Sequence, residues 1–401
     1  MNPSATEIKP TQSLGSRLFR AIRGNIQTYT LLIAVVGIWA IFYISTGGSY
    51  MDPQNISNLF RQMTVTAFLA VGMVLVIVIG GIDLSVGKMA GFVSVVAAYL
   101  QYYVWHALFP TQFVLAATLS VLCGLLVGTL SGAVQGYIIA YQGLPAFIVT
   151  LAGMWLFNGL ILLVTQGRTI AADQPAFSFI AQGYISDEWG IVIFLLILVF
   201  LGWNVFNTRR GKQKYGFKLR PLYLDLLGAA LPAVLVLAYV ISVNAYKGIP
   251  VPVLLLAIVA MIMVYISGNT RFGRYAYAIG GNREAARLSG IDINWVIFRV
   301  FVLMGFLCGI GGVVLASYVG YGTIAAGTGY ELDAIAACIL GGTSTLGGVG
   351  TIPGALIGAL IIASLSTGLQ MMNVQPAWQY VLKAIVLVVA VLADVYFKKN
   401  R

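Results

Sequence analysis

Of the chain's 401 residues, 60% are hydrophobic and 9% are Asp, Glu, Lys or Arg, whereas soluble domains carry roughly 25% charged residues. A mean hydropathy of +0.93 and apolar runs of about 20 residues, the length that crosses ~30 Å of hydrocarbon, exclude a soluble protein. They also exclude a transmembrane barrel of short alternating strands. The net charge of +11 collects between the apolar runs, so it points to membrane topology and not to nucleic acid.

The fold class expected is an all-α polytopic membrane protein with about twelve transmembrane helices. Residues 1–27 are polar and basic (Lys9, Arg17, Arg20, Arg23), lack a small-residue cleavage pattern, and read as a cytoplasmic tail. A transmembrane domain covers 28–397, with spans expected near 28–46, 62–81, 86–104, 112–139, 146–165, 190–206, 222–245, 249–267, 294–318, 331–346, 352–371 and 377–397. Counting crossings from a cytoplasmic tail puts 207–221, 268–293 and the C-terminal 398–401 in the cytoplasm. Those segments hold Arg209, Arg210, Lys212, Lys214, Lys218 and Arg220, then Arg271, Arg274, Arg283 and Arg287, then Lys398, Lys399 and Arg401, as the positive-inside rule requires. The same count leaves Asp173, Asp187 and Glu188 outside, and both termini cytoplasmic.

In chain order, the first irregular segment is GGIDLSVG at 80–87. It invites comparison with a phosphate-binding loop and fails. Such a loop needs four residues before Gly-Lys and then Ser or Thr, whereas five separate Gly81 from Gly87, and Met89 follows Lys88. The chain is therefore expected to have no ATP site of its own. Asp83 is either an ion-carrying carboxylate or a cap whose oxygen takes backbone N–H groups of the next helix. Cys123, Cys308 and Cys338 lie in apolar segments without pairing or ligand spacing and read as small buried apolar groups. His106 stands alone beside Trp105, so no metal site is expected.

The longest polar interruption of the second half is Ser267 to Ile293. Within it NREAARL reads as a short helix with Asn282 as N-cap, Glu284 in the first turn and Gly290 just past the end. A connection between spans needs only a few residues, so a turn that builds a charged helix reads as a docking surface for a second protein. Arg299 and Asp394 lie near cytoplasmic helix ends and can snorkel. Lys383 is expected to pair with a carboxylate or carbonyl near the outer face. Glu331 and Asp333 open a helix, expected at the outer side, where acids suit the helix dipole.

GGTSTLGGVG at 341–350 resembles the 80–87 segment, since each follows an apolar helix, carries hydroxyls and leads into a small-residue helix. The two form a weak internal repeat. Such segments either line a pathway or mark a close helix crossing. Candidates for a polar path are Asp83, Ser85, Asn158, Gly341, Gly342, Thr343, Ser344 and Thr345. The spans show no paired carboxylates, no nucleophile with a base and no proton relay. The chain is therefore expected not to be an enzyme, and to draw its energy from a partner.

IDLSVG at 82–87, PAFIVTLAG at 145–153, AIGGNREAARLSGI at 278–291 and GYELDAIAACILGGTSTLGGVGTIPGALIGALI at 329–361 strongly resemble permease subunits of ABC importers for ribose, galactose and xylose. The additional spans within 186–248 look like an inserted pair on a ten-helix family core, as in the xylose-type branch. The resemblance implies a bacterial inner-membrane homodimer with the sugar path along its two-fold axis. It also implies cytoplasmic ATPase subunits that use ATP and magnesium, a periplasmic sugar-binding protein above, and no cofactor bound by this chain. Carried onto this sequence, Gly281, Asn282, Glu284, Ala285, Ala286, Arg287, Ser289 and Gly290 form the helix that couples to the ATPase. The rival is a twelve-helix secondary sugar transporter driven by protons or sodium, which fits Asp83 but leaves the docking helix unexplained.

Overall fold

The computed structural model describes residues 26–217, 219 and 221–399. The basic tail with Lys9, Arg17, Arg20 and Arg23 lies outside the described residues, as do Lys218, Arg220, Arg401 and the side chains of Asp394, Lys398 and Lys399. The helices follow in the order α1 (Ile26–Ser45), α2 (Pro53–Val78), α3 (Val86–Tyr99), α4 (Phe113–Tyr141), α5 (Ala146–Thr165), α6 (Pro175–Gln182), α7 (Asp187–Lys214) and α8 (Leu222–Asn244). Then come α9 (Val251–Asn269), α10 (Arg271–Gly281), α11 (Arg283–Leu288), α12 (Ile293–Val319), α13 (Tyr330–Leu340), α14 (Ile352–Met371) and α15 (Pro376–Lys399). Helix α3 is prolonged by π turns over Leu100–Trp105. Two antiparallel ladders, β1 (Ile170–Ala171) with β4 (Tyr321–Gly322) and β2 (Tyr184–Ile185) with β3 (Ile249–Pro250), clip connections together at one end.

Among the described residues, 8 helices are long and apolar enough to cross a membrane, and the all-α polytopic class follows. Two expected spans are different in kind: 86–104 opens as the 14-residue α3. The run at 331–346 forms only α13, 11 residues long and so roughly 16 Å, half a bilayer. Gly341 and Gly342 stop it, and Gly342 takes a left-handed φ of 86° that favours glycine. Helix α7 also runs on into the basic stretch as far as Lys214. There Arg209 pairs with Asp225 across the connection to α8.

Helices α2 and α12 form the centre. Their apolar windows are 89% and 78% buried, against 6% and 11% for α7 and α8, so the inserted pair is peripheral to the core. The pair is held by Tyr239, whose ring lies 4.5 Å from that of Phe60, and by Asn244 donating to the Asp187 carbonyl at 3.1 Å. Helix α2 runs antiparallel to α12: Arg61 near its start lies 5.2 Å from the ring of Tyr318 near the end of α12. Glycines explain how α4 seats against α12. A side chain at Gly128 would meet the Gly305 carbonyl at 2.4 Å, and one at Gly132 the Phe301 carbonyl at 2.3 Å. Bare backbones therefore touch, which is how helices associate where apolar burial gives no net drive.

Candidate functional site

Two features stand out: a pair of broken helices at the core, and a surface hairpin tied to it. Helix α2 ends at Val78, and Gly80 turns the chain back with a φ of 83°. Residues 82–85 then rise into the bundle. Asp83 is fully buried. Its Oδ1 accepts the Ser85 amide at 2.8 Å and the Ser85 hydroxyl at 2.6 Å, while Oδ2 has no partner. Gln135 of α4 donates to Ser85 Oγ at 3.0 Å. Thr150 of α5 accepts the Leu84 amide and donates to the Ile82 carbonyl, both at 3.2 Å. The Asp83–Ser85 bonds close a local turn ahead of the helix, and Gln135 and Thr150 fix that turn to α4 and α5.

Helix α3 therefore starts deep. Its first carbonyl, at Val86, lies 3.7 Å from Cys308 Sγ, midway along α12. A second break mirrors the first. Helix α12 ends at Gly320, φ 81°, and after β4 the chain folds back down α3. A side chain at Gly322 would touch Val95, one at Gly91 would meet the Ala326 carbonyl at 2.3 Å, and one at Gly87 the Gly327 carbonyl at 2.6 Å. Only there does α13 begin. From Ala98, which also touches Gly322, down to Gly87 is roughly 16 Å of helix.

This places several residues differently from expectation. Glu331 and Asp333 open α13 beside the start of α3, not at the outer side, because the chain re-enters before the helix starts. Lys383 has a carboxylate partner, Asp333 at 3.0 Å, also at this depth. Lys88 Nζ donates to Thr328 Oγ1 at 2.8 Å and lies within Coulombic reach of Glu331. Lys88, Gln135, Thr328 and Glu331 were absent from the path candidates. The available signal was polar side chains inside otherwise apolar helices, such as Gln135 within α4, which are costly in lipid and so rarely incidental.

The candidates themselves divide. Asp83 and Ser85 come together with Gln135. Asn158 is half-buried on α5, beside Phe157, whose ring stacks 5.9 Å from that of Phe92. The 341–345 run lies at the far end of α13. A side chain at Gly341 would meet the Gly354 carbonyl at 2.3 Å, so that glycine serves a close crossing of α13 and α14. Thr343 is buried with its hydroxyl unpartnered. Ser344 is half-buried, Thr345 is exposed, and the Ser344 amide closes the loop onto the Val349 carbonyl at 2.8 Å. Gly342 takes the left-handed turn described above. Cys308 and Cys338 are buried free thiols and Cys123 is half-buried, and the described residues contain no cluster suited to a metal ion.

The hairpin is α10 and α11. Thr270 caps α10 by accepting the Gly273 amide at 3.2 Å. Asn282 then breaks the chain and caps α11, its Oδ1 accepting the Ala285 amide at 2.9 Å. Glu284 pairs with Arg287 at 2.7 Å, and Ser289 Oγ donates to the Ala285 carbonyl at 2.8 Å. Gly290, φ 79°, ends the helix, with the Ile291 amide returning to the Ala286 carbonyl at 3.2 Å. Ala286 is buried, whereas Gly281, Asn282, Glu284, Ala285, Arg287, Ser289 and Gly290 are exposed. A short capped helix thus projects from the surface.

Behind it the hairpin is packed into the core. Tyr277 Oη donates to the Gly350 carbonyl at 2.7 Å. Burial holds its hydroxyl above the ordinary tyrosine pKa, so it remains a donor. The Gly348 amide donates to the Val78 carbonyl at 2.9 Å. Gly280 lies against both, since a side chain there would fall 1.7 Å from the Val78 oxygen and 2.6 Å from the Gly348 nitrogen. Helix α10, the end of α2 and the 347–350 loop therefore form one packed unit, directly beneath the first broken helix.

A family model described as branched-chain amino acid transport system / permease component matches residues 55–391. The chain is 41% identical to a xylose transport system permease protein of Haemophilus influenzae over 96% of this chain and 100% of that protein. It is 40% identical to a xylose transport system permease protein of Escherichia coli over 100% of this chain and 99% of the other. A ribose import permease protein of Haemophilus influenzae is 34% identical over 91% of this chain and 90% of its own length. No solved structure matches the chain.

Proposed function

The chain belongs to the family of transport-system permease components, and from that membership we propose that it moves xylose or a related aldose in an ATP-driven importer. It is a membrane permease subunit, a transporter component and not an enzyme. In this reading two copies form the path between them in the bacterial inner membrane. Cytoplasmic ATPase subunits supply the energy from ATP and magnesium, and a sugar-binding protein delivers the aldose from outside. The substrate follows from full-length similarity to two xylose permeases, which exceeds the similarity to the ribose permease.

The observation that carries the mechanism is the packed unit of α10, the end of α2 and the 347–350 loop. A projecting helix that docks on an ATPase needs a stiff connection to the path. Here the Tyr277 hydroxyl bonds the Gly350 carbonyl, and Gly280 and Gly348 meet the end of α2 through direct backbone contact. Movement of α11 with the ATPase pair would shift the end of α2 and tilt the broken helices above it. Packed elements of this kind switch between discrete arrangements and do not deform continuously. The residues from Gly281 to Gly290 named above would form the docking face, with Ala286 as its buried anchor.

The test is xylose uptake into proteoliposomes that hold this chain with the ATPase and binding protein encoded beside it. Uptake that needs ATP on the ATPase side and the binding protein on the other, and that ignores ionophores, is the expected result. Uptake by this chain alone, driven by a proton or sodium gradient, would refute the proposal.

A further inference from the structure

The two breaks follow helices that run in opposite directions. Helix α2 runs toward the hairpin end, turns back at Gly80 and restarts as α3 halfway up. Helix α12 runs the opposite way, turns back at Gly320 and restarts as α13 beside Gly87. The 79–85 and 320–329 segments thus each carry the chain from a helix end back to mid-depth. The two restarted helices meet start to start at mid-depth, where Thr328 is exposed on the flank of the bundle and open to a path between two copies. Discontinuous helices that meet at the midplane of an inverted pair are where membrane carriers place polar ligands.

What gathers at this meeting is chemically specific. Lys88 stands one residue past Gly87, half-buried, with Nζ on the exposed Thr328 hydroxyl at 2.8 Å. Glu331, half-buried in the first turn of α13, faces the amides of Gly329 and of its own residue. Its Oε2 is buried and has no partner. The other charges of this layer, Asp333 and Lys383, are already paired with each other at 3.0 Å. Within hydrocarbon, charged side chains are retained where they pair or meet a polar ligand. Lys88 and Thr328 present an ammonium donor and a hydroxyl that both donates and accepts, and the Glu331 carboxylate, packed on Gly87, is the acceptor behind them. Adjacent ring hydroxyls of an aldose need that combination, since each hydroxyl both donates and accepts.

Building on the aldose-importer reading above, we propose that Lys88, Thr328 and Glu331 form a sugar-hydroxyl site at the waist of the path. The permease then takes part in choosing its cargo instead of passing whatever is delivered. Loop 326–329 is held on α3 by bare backbone at Gly87, Gly91 and Gly327. The spacing between Lys88 and Thr328 is therefore fixed by the crossing and not by flexible side chains.

The experiment uses the full assembly with its binding protein and compares uptake of xylose with that of xylose analogues each lacking one hydroxyl. Thr328→Val keeps the shape and removes the hydroxyl, while Glu331→Gln keeps the size and removes the charge. Each variant is expected to lower xylose moved per ATP hydrolysed by about three- to tenfold, the size of one lost hydrogen bond. Thr328→Val is expected to erase the wild type's discrimination against one deoxy analogue. Thr328 is exposed, so that variant keeps the test open if Glu331→Gln does not fold. Wild-type uptake per ATP and unchanged discrimination in Thr328→Val would overturn the site while leaving the importer intact. A wild-type assembly that carries no aldose would remove the reading beneath it.

Discussion

Gly280→Ala tests the connection between hairpin and core with a single methyl group. The added Cβ would lie 1.7 Å from the Val78 carbonyl oxygen and 2.6 Å from the Gly348 nitrogen. Both are backbone atoms, so relief requires a helix end or a loop to move by more than 1 Å. Overpacking of this kind costs about 1–3 kcal/mol. Parting Gly348 from Val78 also gives up their 2.9 Å hydrogen bond, worth about 0.5–1.5 kcal/mol. Against this, replacing glycine by alanine within a helix gains about 0.5–1 kcal/mol. The balance is a loss of about 0.5–4 kcal/mol, together with a looser α10. Gly268→Ala is the control, since nothing lies within 4 Å of its Cβ and only the helical gain applies. The buried thiols of Cys308 and Cys338 report unfolding to a thiol-reactive dye during a thermal ramp. The expected order of midpoints is Gly280→Ala below wild type and Gly268→Ala at or above it. In reconstituted assemblies, Gly280→Ala is also expected to hydrolyse more ATP per sugar moved. A Gly280→Ala midpoint at or above the wild type would refute the close packing on which the coupling argument rests.

Gly290→Val probes a different physics, because its Cβ meets nothing within 4 Å while φ is 79°. The cost is conformational alone, about 1–2 kcal/mol, and the expected readout is lower uptake per ATP; undiminished coupling would remove α11 as the docking element. Asp83→Asn keeps an oxygen for the Ser85 amide and hydroxyl and is expected to retain most uptake, whereas an abrupt loss of sodium- or proton-dependent uptake would restore the ion-coupled rival. Lys383→Met strands Asp333, whose partner it is, and is expected to lower stability by at least about 1 kcal/mol, with Lys383→Met/Asp333→Asn recovering part of the loss. A Lys383→Met midpoint equal to the wild type's would show the pair to be energetically idle.

The sequence by itself determined the class, the membrane setting, and the short helix at 283–288 with its cap and stop. These are local matters. An apolar run of bilayer length must be helical because lipid offers no other hydrogen-bond partners. Asn282 and Gly290 act within a few residues of themselves as cap and stop. Tertiary structure alone decided what lies at which depth. Glu331 and Asp333 looked like an outer helix start because their helix follows an outer connection, yet that connection folds back along α3 before α13 begins. Besides the motif likeness of 80–87 and 341–350, the fold sets the turn-back after α2 at Gly80 beside a turn-back after α12 at Gly320. The re-entry depends on bare backbone at Gly87, Gly91 and Gly327 meeting residues more than 200 positions away in the chain. Contacts at such separation leave no periodicity to read. The polar groups brought together at that depth, Lys88 with Thr328 and Asp333 with Lys383, become visible only once the chain has folded.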